Sequence, residues 1–188
     1  NGNLHETTIT IQVVSNPSGG KLMKAPKWLE NTNALCVIEN DDDLCGQRCI
    51  TMFQADSKKR RNLKSRKKQF DKETECICKM IKHNKRMAMT DFDKLNEFGI
   101  RTIVFSSKST IIHDSESHIK DESEKQTNKI MYLYYDVLEE HYHLIININK
   151  FSENSKNKNC KWCDKCQKTI DGRYYNFHKC IEKKCTLC

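Results

Sequence analysis

Ile130-Met131-Tyr132-Leu133-Tyr134-Tyr135 and His141-Tyr142-His143-Leu144-Ile145-Ile146-Asn147-Ile148, separated only by Asp136-Val137-Leu138-Glu139-Glu140, are the two runs that decide the fold. Aromatic and β-branched side chains suit a pleated, packed backbone, so the pair predicts a β-hairpin. Working upstream, Ile100 to Phe105 is a further strand, and Thr110-Ile111-Ile112 is a weaker one inside the polar stretch Ser106 to Asn128. Ahead of these strands the apolar spacing becomes helical. A helix is expected to begin near Leu44-Cys45 and to run through Ile50 and Phe53, with Asn40 and Asp41 to Asp43 offering acceptors to its free N–H groups. A second helical pattern covers Phe70 to Met89, with Ile77, Met80, Ile81 and Met87 on one face. Thr90-Asp91 would cap a short helix through Phe92, Leu95 and Phe98, which Gly99 ends. The sum is an α/β (α+β) domain over residues 35–150. A strand (Ile9 to Val14) and a linker (Ser15 to Gly20) precede it in 1–34, and a Cys-rich module follows in 151–188.

The 188 residues carry 33 Lys and Arg against 25 Asp and Glu, a net charge of +8, which favours a polyanionic partner. No apolar run approaches the roughly 20 residues of a membrane helix, so no membrane contact is expected. Of the 11 cysteines, Cys160, Cys163, Cys166, Cys185 and Cys188 fall at C-x2-C spacings in a Lys-rich chain, which points to metal ligation in a reducing, nuclear or cytoplasmic compartment rather than to disulfides. Both ends are expected to be cut edges of a longer polypeptide.

Cys163-x2-Cys166 and His178-x-Cys180 supply four soft or borderline donors with eleven residues between the pairs, a pattern suited to tetrahedral zinc. The intervening segment, with Gly172, Tyr174, Tyr175 and Phe177, is long enough for a hairpin whose aromatics would provide the module's apolar contacts. Cys160 also stands at C-x2-C spacing from Cys163 and leaves the ligand choice open. Cys185-x2-Cys188 is a second zinc knuckle; its partners are expected beyond Cys188, the alternative being that it completes a rearranged site within the chain. Cys76 and Cys78 lie on a helical pattern and are expected in the core rather than on a metal.

Asp42-Asp43-Leu44-Cys45-Gly46-Gln47-Arg48 places a thiol at a helix N-terminus, where free N–H groups favour the thiolate. His141 opens a strand 96 positions later and would supply the base that a cysteine nucleophile needs. The segment Asp42 to Ile50 resembles the nucleophile motif of ovarian-tumour (OTU) type cysteine proteases, and His141-Tyr142 is similar to that family's histidine strand. The succession Asp42 to Ile50, Ile103-Val104-Phe105, His141 to Ile145, Phe151 to Cys180 and Cys185 to Cys188 further resembles the N-terminal region of protein-primed family B DNA polymerases of Polinton (Maverick) transposable elements and related viruses. The resemblance implies an OTU-like, papain-type fold followed by a zinc-binding module. It also implies a catalytic set of Cys45, His141 and Asp42, a ubiquitin-like or peptide substrate, and other protein subunits as partners. Two positions depart from the OTU pattern: Asp43-Leu44 replaces Gly-Asn, and His143 stands where an orienting Asp or Asn is usual. The polymerase and exonuclease carboxylates are absent from these 188 residues.

Lys58 to Lys68 holds eight basic residues in eleven positions, a surface for nucleic-acid phosphates or a nuclear address. Lys156, Lys158, Lys161 and Lys165, interleaved with Trp162, would extend such a surface onto the zinc module. Two functions follow. One is an OTU-like protease or deubiquitinase with a zinc finger. The other is a catalytically inactive nucleic-acid- or protein-binding scaffold on the same fold.

Overall fold

The computed structural model describes residues 33–116, 129–153 and 159–180. In chain order its elements are β1 (Leu35–Cys36), α1 (Cys45–Gln54), α2 (Ser57–Ser65), α3 (Lys67–Met80), a 3-10 helix (Met89–Phe98), β2 (Ile100–Phe105), β3 (Ile111–Asp114), β4 (Lys129–Asp136), β5 (His141–Ile145), α4 (Ile148–Ser152), β6 (Cys160–Cys163), β7 (Lys168–Asp171) and a 3-10 turn (Tyr175–Phe177). The Ile9–Val14 strand, the Ser15–Gly20 linker, Lys156, Lys158 and the Cys185–Cys188 knuckle lie outside the described residues.

β4 and β5 form the expected hairpin, with Asp136 opposite His141 and Leu133 opposite Leu144. They sit in a mixed five-stranded sheet of order β1-β5-β4-β2-β3, in which β2 and β4 run parallel. Both faces of the sheet are covered. Met131, Leu133, Tyr135, Tyr142 and Leu144 project to one face and pack with Cys49, Ile50 and Met52 of α1, Phe70 and Ile77 of α3, and Phe92 and Leu95. Ile103, Phe105, Tyr134 and Ile145 project to the other face and pack with Phe151 and Trp162. Double coverage explains why β4 reads as a continuous apolar run instead of an alternating one.

Several boundaries differ from the expectation. The basic run begins as α2, breaks at Arg66, and continues into α3. The helical pattern expected to reach Met89 stops at Met80, because Lys82 adopts a left-handed φ of 51° that a helix does not allow. Met87 still reaches the core, from a non-helical segment. The Asp91 carboxylate accepts from the Ala88 N–H at 2.9 Å and so starts the 3-10 helix, which Gly99 ends at φ 67°. The strand expected through Ile148 ends at Ile145, since the Asn147 side chain accepts from the Lys150 N–H and caps α4. Cys76 is exposed and Cys78 half-buried, so neither belongs to the core as expected.

The two histidines of β5 have a structural task. β1 ends after Cys36, and the next backbone groups are satisfied by imidazoles instead of by a strand. His143 Nδ1 accepts from the Ile38 N–H at 3.3 Å, and His141 Nε2–H donates to the Ile38 carbonyl at 3.0 Å. Both rings are fully buried, and burial, with His141 and Lys64 nearby, pushes His143 down to about 3. The unfolded chain therefore binds a proton below about pH 6.5 that the folded chain refuses, and stability falls as pH drops from there toward 3. The His143 share of that slope is at most about 1.4 kcal/mol per pH unit. Thermal melts at neutral pH and in mild acid are expected to show wild type losing more stability than His143→Gln, whose amide oxygen keeps an acceptor for Ile38. Parallel losses in the two proteins would contradict this role.

Candidate metal centre and the Cys45–His141 neighbourhood

The antiparallel pair β6–β7, with Cys160 opposite Asp171 and Cys163 opposite Lys168, turns through Asp164 to Gln167 and so presents Cys163 and Cys166 at one end. Gln167 takes φ 53°, which closes the turn. The chain then returns through the Tyr175–Phe177 turn to set His178 and Cys180 against the same end. The four ligand atoms all lie within 4.8 Å of one another. Cys163 Sγ is 3.1 Å from Cys180 Sγ, and His178 Nε2 is 3.3 Å from both Cys166 Sγ and Cys180 Sγ. Metal–sulfur bonds of about 2.3 Å require donors about this close around one point, so Cys163, Cys166, His178 and Cys180 fit a metal ion. Cys160 is buried at the opposite end of β6 from Cys163 and is not one of the four.

The turn is prepared for thiolates. Burial alone would raise the Cys163 thiol, but N–H groups of Cys166 and Lys165 and the Cys180 thiol outweigh it and draw Cys163 below the ordinary thiol range. Cys180 moves upward because it shares a hydrogen bond with Cys163.

The hairpin is anchored on the sheet. Trp162 is buried between strands and α4, its ring 5.3 Å from that of Phe105, and its backbone N–H donates to the Asn149 side chain at 2.7 Å. Gln167 Nε2 donates to Asp114 at 2.7 Å, and the Tyr132 hydroxyl donates to Asp164. Gly172 donates to the Asn159 carbonyl at 2.6 Å, and a Cβ there would come within 2.7 Å of that oxygen. Gly172→Ala is therefore expected to weaken metal retention several-fold in a competition titration, because the crowding costs about 1–3 kcal/mol. Unchanged retention would show that the hairpin does not need this approach.

Cys45 is the first residue of α1, as expected, but its thiol is buried against the Tyr142 N–H. Burial raises it, over the opposing influence of that N–H group and of Arg86. Burial likewise lowers His141. Thiol and imidazole are thus both neutral near pH 7. Among the described residues no hydrogen bond joins them: His141 Nε2 goes to Ile38, and buried Nδ1 has no partner. Alternation along β5 sends Tyr142 toward α1, whereas His143 stacks on Tyr134 on the opposite face.

Asp42 does not cap α1, and it does not bond His141. Its carboxylate accepts from Leu44 N–H at 3.0 Å and from Arg48 at 2.6 Å, and Arg48 also reaches Asp71 at 2.8 Å. Burial would raise the Asp42 carboxyl, but Arg48, the Leu44 N–H and Asn40 together outweigh it and hold the group below the ordinary carboxylate range. The buried Arg48, lying 5.1 Å over the Phe70 ring, is a partner that sequence spacing does not single out. The one signal for it is a basic residue within two helical turns of the acidic cluster. No helix among the described residues is long and apolar enough to cross a membrane. No family model matches the chain, and neither a curated protein nor a solved structure matches it.

Proposed function

We propose that the chain is a nucleic-acid-binding module completed by zinc, with Lys58 to Lys68 as its phosphate-contacting surface. The observation that carries this is the placement of the basic run. Seven of its eight cations are exposed, Arg60 is half-buried, and only Leu63 of α2 enters the core. Among the described ion pairs, Lys59 meets Glu73 at 2.7 Å and Lys67 stands 3.7 Å from Asp41, which leaves Lys58, Arg61, Lys64, Arg66 and Lys68 free of acidic partners. Three thiolates and one imidazole favour zinc over harder cations, and a closed four-ligand set suits an architectural role. Replacing Arg61, Lys64 and Lys68 with Gln is expected to weaken duplex DNA binding at least tenfold at about 0.1 M salt, with the salt slope falling by about 1 for each phosphate no longer neutralised. Unchanged affinity in a folded variant would sink the proposal.

A second reading, an OTU-like cysteine protease, is supported by Cys45 at the start of α1 and by the unpartnered Nδ1 of His141. Cys45 would attack a peptide or isopeptide carbonyl after giving its proton to His141, which would then protonate the leaving amine. The buried, neutral thiol and the Asp42–Arg48 pairing weigh against it. A ubiquitin probe with a cysteine-reactive C-terminal group separates the readings. The binding module predicts no labelling, whereas labelling abolished by Cys45→Ala and by His141→Ala would establish the protease. The motif order from Asp42 to Cys180 supports a source in a Polinton-type replication protein.

A further inference from the structure

The hairpin that holds the metal cluster turns its aromatics the opposite way from the sequence expectation. Trp162 is inside, while Tyr174 is 62% and Phe177 81% exposed. The Phe177 N–H donates to the Tyr174 carbonyl at 3.0 Å, closing one 3-10 turn. Residues three apart in such a turn lie on the same side of it, their backbone positions roughly 6 Å apart along its axis. Leaving two large rings in water costs hydrophobic free energy that a module with so little core would otherwise recover. The same module is rich in cations. Lys161, Lys165, Lys168, Arg173 and Lys179 are all exposed, against Asp164 and Asp171. Lys161 Nζ lies 5.0 Å over the Tyr175 ring, and the Arg173 guanidinium lies 5.7 Å from the Tyr174 ring while pairing with Asp171 at 2.8 Å. Asp164 is engaged by Tyr132. Three thiolates and a dication subtract only one charge, so the face stays positive when loaded.

Exposed aromatic faces on a lysine-rich module suit bases that are unstacked and phosphates that follow them. A duplex hides its base faces and offers phosphates alone. We infer that Tyr174 and Phe177 form a stacking platform for single-stranded nucleic acid, adding strand-state selectivity to the phosphate surface of α2 and α3. The inference rests on the nucleic-acid reading proposed above.

The test compares a fluorescent oligothymidine strand with a duplex of equal length, using the full, metal-loaded chain. Wild type is expected to bind the single strand at least tenfold more tightly. Tyr174→Ala and Phe177→Ala should each weaken single-strand binding by roughly tenfold and leave duplex binding within about twofold. Because Phe177 adjoins His178, metal content is measured for every variant, and Tyr174→Trp and Phe177→Trp should restore single-strand binding. Equal wild-type affinity for both probes, or alanine variants that bind the single strand like wild type, would overturn the platform while leaving the α2 surface standing. Failure to bind either probe would overturn both.

Discussion

Stripping the metal with a strong chelator is expected to release residues 159–180 from the sheet and to carry Trp162 from the core into water. The hairpin β6–β7 has four-residue strands, and Trp162 is its main apolar contribution to the core around Phe105 and Phe151. A two-stranded hairpin of that size does not hold itself together in water. Structural zinc provides an apparent free energy of about 10–16 kcal/mol near neutral pH, so its loss removes what orders the segment. The chain has two tryptophans, and Trp28→Phe leaves Trp162 as the sole reporter. Chelation should shift its emission to the red and abolish its near-ultraviolet dichroism, while the far-ultraviolet signal of α1 and α3 persists. Emission that ignores the chelator would mean that Cys163, Cys166, His178 and Cys180 hold no structural ion.

The second large effect is expected from Trp162→Ala. Its ring meets Phe105 edge-on, and Phe105 in turn packs on Phe151 at 5.5 Å. Truncating a buried Trp costs about 3–5 kcal/mol, a large fraction of the roughly 5–15 kcal/mol that holds a domain of this size together. Urea denaturation should show a lower midpoint, together with weaker metal retention, because the metal hairpin loses its seat on Phe105. A drop in stability under about 1 kcal/mol would mean that the hairpin is tethered, not packed.

Local signals make much of this architecture legible. The hairpin β4–β5, the start of α1 at Cys45, the Gly99 stop and the four metal donors all follow from residue type and spacing within a short window. What spacing does not reveal is which side of an element faces inward when the sheet is covered on both faces. Trp162 lies among lysines and so reads as a surface residue. The period of two in β6 instead sends Lys161 outward and Trp162 into a second core, which is invisible without β2 and α4 in place. Tyr174 and Phe177 are the converse case: their type suggests filling, and they lie outside. Likewise His141 and His143 read as a base and a misplaced orienting group, whereas their nitrogens bind the Ile38 backbone across more than 100 residues. Long-range polar partners of this kind, with Asp42 and Arg48 a shorter example, have no signature in the local pattern.

On the proposed reading, exposed cations between Lys58 and Lys68 bind nucleic-acid phosphates. Its most direct test is the affinity of metal-loaded protein for DNA measured across a salt series. Log affinity is expected to fall linearly with log salt, with a slope of about −3 to −5 if Lys58, Arg61, Lys64, Arg66 and Lys68 neutralise most of the phosphates. No binding at low salt, or an affinity that salt leaves unchanged, would contradict it.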